Sequence, residues 1–154
     1  MRPRSITRLA PLALVLAALL VVAGCSDDSD SDAEVKGVVT GFLTDLAENR
    51  GTEACDRLTT GTVRILSAVA PAAGTAATCP DNIRAVNGQL SEEEKEALKS
   101  AEVKAVTIDG DTATVNPQDV EFEIEGTSSL LSSVKGGPVV LKNVDDEWKI
   151  ESLG

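Results

Sequence analysis

Hydrophobic positions along this chain change their period twice. From Leu9 to Ala23 they run on, interrupted only by Pro11; from Val35 to Leu98 they recur at helical spacing; after about Ala101 they alternate with polar ones. Val35, Val38, Val39, Phe42, Leu43 and Leu46 make one apolar stripe and predict a first helix, with Lys36, Asp45 and Glu48 off the stripe. Ser31 and Glu34 fit a capping box at its start, and Gly51 sits where a C-terminal glycine cap belongs. A second helical piece is expected at about Thr52 to Leu58, carrying Cys55. A third is expected at about Thr62 to Val69, with Val63, Leu66 and Val69 on one side. Pro71–Thr78 is rich in Ala, Gly and Thr and reads as a loop. Pro80 suits the first turn of a helix over about 80–89, with Ile83 and Val86 inward. Ser91 and Glu94 form a second capping box, opening a short helix through Leu98.

Val103–Ile108 then reads as a strand, Asp109-Gly110-Asp111 as a hairpin turn, and Thr112–Asn116 as the return strand. Pro117 breaks or bulges it. Val120, Phe122 and Ile124 alternate with Glu121, Glu123 and Glu125, a strand with one wet face. Residues 126–137 are rich in Ser and Gly and give no assignment. Pro138–Val144 is a further strand, and Asp145-Asp146 turns the chain into Glu147–Leu153, where Trp148 and Ile150 face one way. Helices first and antiparallel strands afterwards predict an α+β fold, with N-terminal helices packed on one face of a curved antiparallel sheet.

The N-terminal run has a different meaning. Arg2, Arg4 and Arg8 form a basic n-region with no acidic residue before Asp27, and the apolar run is short. It falls short of the roughly 20 apolar residues of a membrane-spanning helix. Val22-Ala23-Gly24-Cys25 resembles the lipobox of bacterial lipoproteins. The resemblance implies a signal peptide over 1–24, removed in the mature protein, and a lipidated Cys25 as its first residue. Membrane lipid attached through acylated Cys25 would hold the protein at the extracytoplasmic face, two acyl chains being enough for stable anchoring. An ordinary cleaved signal would instead leave Cys25 an unpaired thiol. The expected organisation is 1–24 signal peptide, 25–32 lipidated cysteine with an acidic disordered tether, and 33–154 a single domain. Lipidation leaves Cys55 and Cys79 as an even pair. A disulfide between them is expected in an exported protein, against the alternative of two buried free thiols.

Charge narrows the partners. Of 14 basic residues three precede residue 25, so the remainder carries 11 − 25 = −14. Such a chain repels phosphate backbones, which excludes nucleic acid, and gains nothing from anionic headgroups. The charge suits a basic partner or cationic ligand, but solubility at a crowded surface is the reading it favours. Ser26–Asp32 lacks the glycine and closing glutamate of a calcium loop and reads as a solvated spacer.

Catalytic chemistry is sparse. The chain has no histidine, which removes histidine triads, Cys–His dyads and histidine metal clusters. No phosphate-binding glycine loop occurs, and Gly136-Gly137-Pro138 is a turn. Two cysteines without histidine do not complete a zinc site. A buried carboxylate acting alone is the remaining route, with Asp45, Asp56 and Glu102 as candidates. Each also fits an exposed helix or strand position. Aromatic residues are limited to Phe42, Phe122 and Trp148, so Trp148 reads as core filler before pocket wall. Ser128, Ser129, Ser132 and Ser133 read as a surface loop. No catalytic residue, cofactor or metal is assigned.

The order of elements over about Ala33–Leu153 resembles the nuclear transport factor 2-like superfamily, a cone of three helices wrapped by a curved sheet. The Cys55/Cys79 pair in the helical half, the Asp109-Gly110-Asp111 hairpin and the closing Glu147-Trp148-Lys149-Ile150 strand match small secreted lipoproteins of that type in high-GC Gram-positive bacteria. A cystatin-like sheet or a smaller open α+β sandwich is the other reading. The superfamily's enzymes, ketosteroid isomerases and dehydratases, pair an acidic base with Tyr or His, and both are missing here. The resemblance thus implies a non-catalytic binding domain, a monomer or weak dimer, taking a small apolar ligand or an envelope protein. Its alternatives are a scaffolding protein without a pocket, or a ketosteroid-isomerase-like enzyme with a lone carboxylate base.

Overall fold

The apolar stripe expected over Val35–Leu46 lies on helix α1 (Asp28–Ala47) and is its core-facing side. Val35, Val39, Phe42, Leu43 and Leu46 are all buried along it. The structure is a computed structural model of the chain, and it describes residues 28–68, 78–122 and 137–154. The expected signal peptide, Cys25, Val69, the loop expected before Thr78 and the serine-rich stretch lie outside those residues.

α1 starts earlier than its expected cap. Asp28–Asp32, read from sequence as tether, belong to the helix, and Ser31 lies inside it. Acidic residues near a helix N-terminus complement its positive dipole end, and Asp32 pairs with Lys36 one turn on at 2.8 Å. The other end also differs. Asn49 takes the left-handed conformation (φ 60°), which asparagine tolerates. Gly51 instead opens α2 (Gly51–Asp56). A side chain there would meet the Pro80 carbonyl oxygen at 2.7 Å, so this glycine permits the close approach of α2 to α4 (Cys79–Asn87). The same two helices are joined by the Cys55–Cys79 disulfide, Cα atoms 6.2 Å apart. The Asn87 side chain donates to the Leu46 and Ala47 carbonyls at 2.8 and 2.9 Å. It thereby satisfies acceptors that the end of α1 leaves open.

Helix α3 (Thr60–Ala68) buries no residue fully, but Val63 and Leu66 pack against the core. Helix α5 (Glu92–Lys99) has its expected box: the Ser91 amide donates to Glu94 at 2.7 Å, and the Glu94 amide to the Ser91 hydroxyl.

The strand expected over Val103–Ile108 is two short strands, β1 (Glu102–Val103) and β2 (Thr107–Asp109), in different sheets. Pro117 accounts for the split. It starts a one-turn 3-10 helix, Pro117–Asp119, which offsets β4 (Val120–Glu121) from β3 (Thr112–Val115). The facing arm divides to match, so β1 pairs with β4 and β2 with β3. The larger sheet runs β2-β3-β5-β6 and is antiparallel throughout, β5 being Val139–Val144 and β6 Glu147–Leu153. Its hairpins turn on Gly110 (φ 61°) and on Asp145-Asp146 (φ 54° and 65°), the positive φ that two-residue hairpin turns demand. The segment after α2 runs beside β6: Ile150 donates to Arg57 at 2.8 Å and accepts from Thr59 at 2.9 Å. Ala113, Val115, Leu141, Trp148 and Ile150 are buried in one core with the α1 stripe. The chain is therefore α+β, with five helices and two antiparallel sheets among the described residues. No described helix is long and apolar enough to cross a membrane.

Candidate functional site

The helices and the sheet do not close fully on each other. Phe42, Leu43 and Leu46 of α1, with Ile83 and Val86 of α4, form one wall of a cavity of about 190 Å³. Val115, Val139 and Ile150 of the sheet form the opposite wall. Pro117, Val120 and Phe122, at and after the 3-10 turn, line it as well. Every lining side chain among the described residues is apolar. Leu43 on the helical wall and Val115 and Ile150 on the sheet wall are buried, whereas Leu153 is 38% exposed. An apolar void of this kind stays dry when empty, because water needs polar partners. It can take a hydrocarbon, and none of the described residues lining it could move a proton.

A second depression differs in character. It is an open groove of about 530 Å³ between the first half of α1, α2 and the β5–β6 turn. Glu34, Glu53, Asp56, Asp146 and Glu147 make it acidic. Its cations are engaged: Lys149 pairs with Glu147 at 2.8 Å and donates to the Asp56 carbonyl at 3.0 Å. The hydrogen bond to Lys149 holds the Glu147 carboxyl below its ordinary pKa. Trp148 borders this groove yet is only 6% exposed, and its indole N–H is buried with no hydrogen-bond partner. The indole packs as core.

None of the three candidate carboxylates lines the apolar cavity. Asp45 is buried, and both its oxygens accept from guanidinium groups. Arg50 Nε donates to Oδ1 at 2.8 Å and Arg57 Nε to Oδ2 at 2.6 Å. The hydrogen bond to Asp45 raises the Arg50 pKa above its ordinary value. Arg57 reaches Asp45 across Gly41, where a Cβ would come 2.5 Å from the guanidinium carbon. Asp45 is thus a structural ion-pair centre joining α1 to the segment after α2. Asp56 is exposed at the groove. Glu102 is exposed on β1 and paired with Lys104 at 2.5 Å. No cluster that could hold a metal ion occurs among the described residues.

Cys55 and Cys79 are brought together as a disulfide, the first of the two states weighed for them. Cys25 lies outside the described residues. Sequence reasoning missed the Arg50–Asp45–Arg57 group and Asn87. The first had a signal, because a glycine four residues before an off-stripe aspartate leaves space for a long side chain; Asn87 had none. Among known proteins, no family model, curated protein or solved structure matches this chain.

Proposed function

We propose that the protein is a lipoprotein, anchored at the extracytoplasmic face of the membrane through acylated Cys25. Its α+β domain, a nuclear transport factor 2-like cone, is a non-catalytic module that binds a small apolar ligand. The observation that carries the binding reading is the cavity of about 190 Å³, whose lining side chains among the described residues are all apolar. The engaged or exposed state of Asp45, Asp56 and Glu102 weighs against a lone-carboxylate enzyme. The cavity also weighs against a scaffold with a solid core. The Cys55–Cys79 disulfide agrees with an oxidising compartment.

Two measurements test this. Native mass spectrometry of gently purified protein is expected to show a bound apolar molecule; a bare chain only would remove the binding half. Cys25→Ser is expected to release the protein from the membrane into the medium, since anchoring rests on buried methylenes at about 0.8 kcal/mol each. Retention at the wild-type level would remove the anchoring half.

A further inference from the structure

We infer that the cavity accepts the hydrocarbon tail of an amphiphile to a depth of about seven or eight carbons, with the polar end left outside. The inference rests on the binding reading above and specifies its ligand. Size comes first. An engineered apolar cavity of about 150 Å³ holds benzene, so 190 Å³ corresponds to about seven or eight carbons. A fused four-ring skeleton of about seventeen carbons would need more than twice that space.

Wall chemistry comes second. Among the described residues no lining side chain carries a hydrogen-bonding group, so a hydroxyl, ketone or carboxylate held against them would lose its water without replacement. The ligand's polar group must stay out. The gradient of exposure along the wall supplies the way in. Val115 and Ile150 are fully buried, Val139 is 7% exposed, and Leu153, paired with Val139 across the sheet, is 38% exposed. The cavity is sealed towards the middle of the sheet, and its wall reaches the surface at Leu153 and at the half-buried Leu66, Val86, Pro117 and Phe122. A void sealed at one end, with apolar described walls, suits one end of a chain, entered tail first.

The test uses the full chain carrying Cys25→Ser, which keeps the protein's own acyl groups out of the measurement. 1-Alkanols from butanol to decanol, and α,ω-diols of matching length, are titrated while methyl NMR signals of Val39, Leu46 and Val120 are followed. Affinity is expected to rise about fourfold per methylene, equivalent to about 0.8 kcal/mol, and to level off near eight carbons. Each diol is expected to bind at least about tenfold more weakly than its alkanol, because its second hydroxyl would be buried unpaired. Val86→Phe, which places a ring in the cavity, should abolish the octanol response while circular dichroism stays native. Diols matching alkanols, a fused-ring compound displacing octanol, or octanol binding to folded Val86→Phe would each overturn the tail assignment and leave the binding reading standing. No response to any alkanol would overturn both. If Val86→Phe fails to fold, the alkanol and diol series decides alone.

Discussion

Asp45 shows how much one side chain can organise. Its carboxylate is about 2% exposed while the two arginines that hold it are 44% and 35% exposed. Removing the charge from a buried pair ordinarily costs about 3–5 kcal/mol, because the partner is left uncompensated. Here the arginines reach solvent, so Asp45→Asn is expected to destabilise by less, about 2 kcal/mol. A lower urea midpoint with an unchanged slope would register it; a midpoint like wild type would show that Asp45 does not join α1 to the Arg57 segment. Gly41 belongs to the same device, since its missing side chain is where the Arg57 guanidinium lies. Asn87 does comparable work at the end of α1 with neutral chemistry.

At the scale of the element, the termini decide more than the interiors. Helix α4 begins at Thr78, whose hydroxyl and amide both donate to the Asp81 carboxylate at 2.6 and 3.1 Å. Those two bonds, first the hydroxyl and then the amide, hold the Asp81 pKa below its ordinary 3.8. A carboxyl whose folded pKa is depressed stabilises fully above its unfolded value and loses that contribution as pH falls through the folded value. The stability difference between wild type and Asp81→Ala is therefore expected to be constant above about pH 5 and to shrink below about pH 4. Denaturant melts at stepped pH check it, and a gap that stays constant to pH 2 would contradict the assignment. The single Pro117 has a comparable reach, because its 3-10 turn splits one expected hairpin into strands of two sheets.

Across the whole molecule, the disulfide ties the helical half together. It links positions 24 apart in sequence and joins α2 to α4 beside Gly51 and Pro80. In the chain-entropy account a closed loop of that size stabilises by about 3.5 kcal/mol. The Cys55→Ala, Cys79→Ala double variant is expected to lose about 3 kcal/mol in urea unfolding. Equal stability of the two forms would mean that helix packing alone holds the pair together. Because α4 also lines the cavity through Ile83 and Val86, the same variant should bind apolar ligands more weakly.

Local period and local turn chemistry determined much of this protein from the sequence alone. The α1 stripe, the Ser91–Glu94 box, the Asp109–Asp111 and Asp145-Asp146 turns and the α+β order are short-range patterns, and short-range sterics and hydrogen bonds fix them. Tertiary structure decided what depends on distant residues meeting. Gly51 reads as a cap until Pro80 lies against it; Asp45 reads as exposed until Arg50 and Arg57 close over it. The cavity belongs to no segment at all, since it is the space left where α1, α4 and the sheet fail to meet. Packing volume is a property of the assembled elements, and no one-dimensional pattern records it.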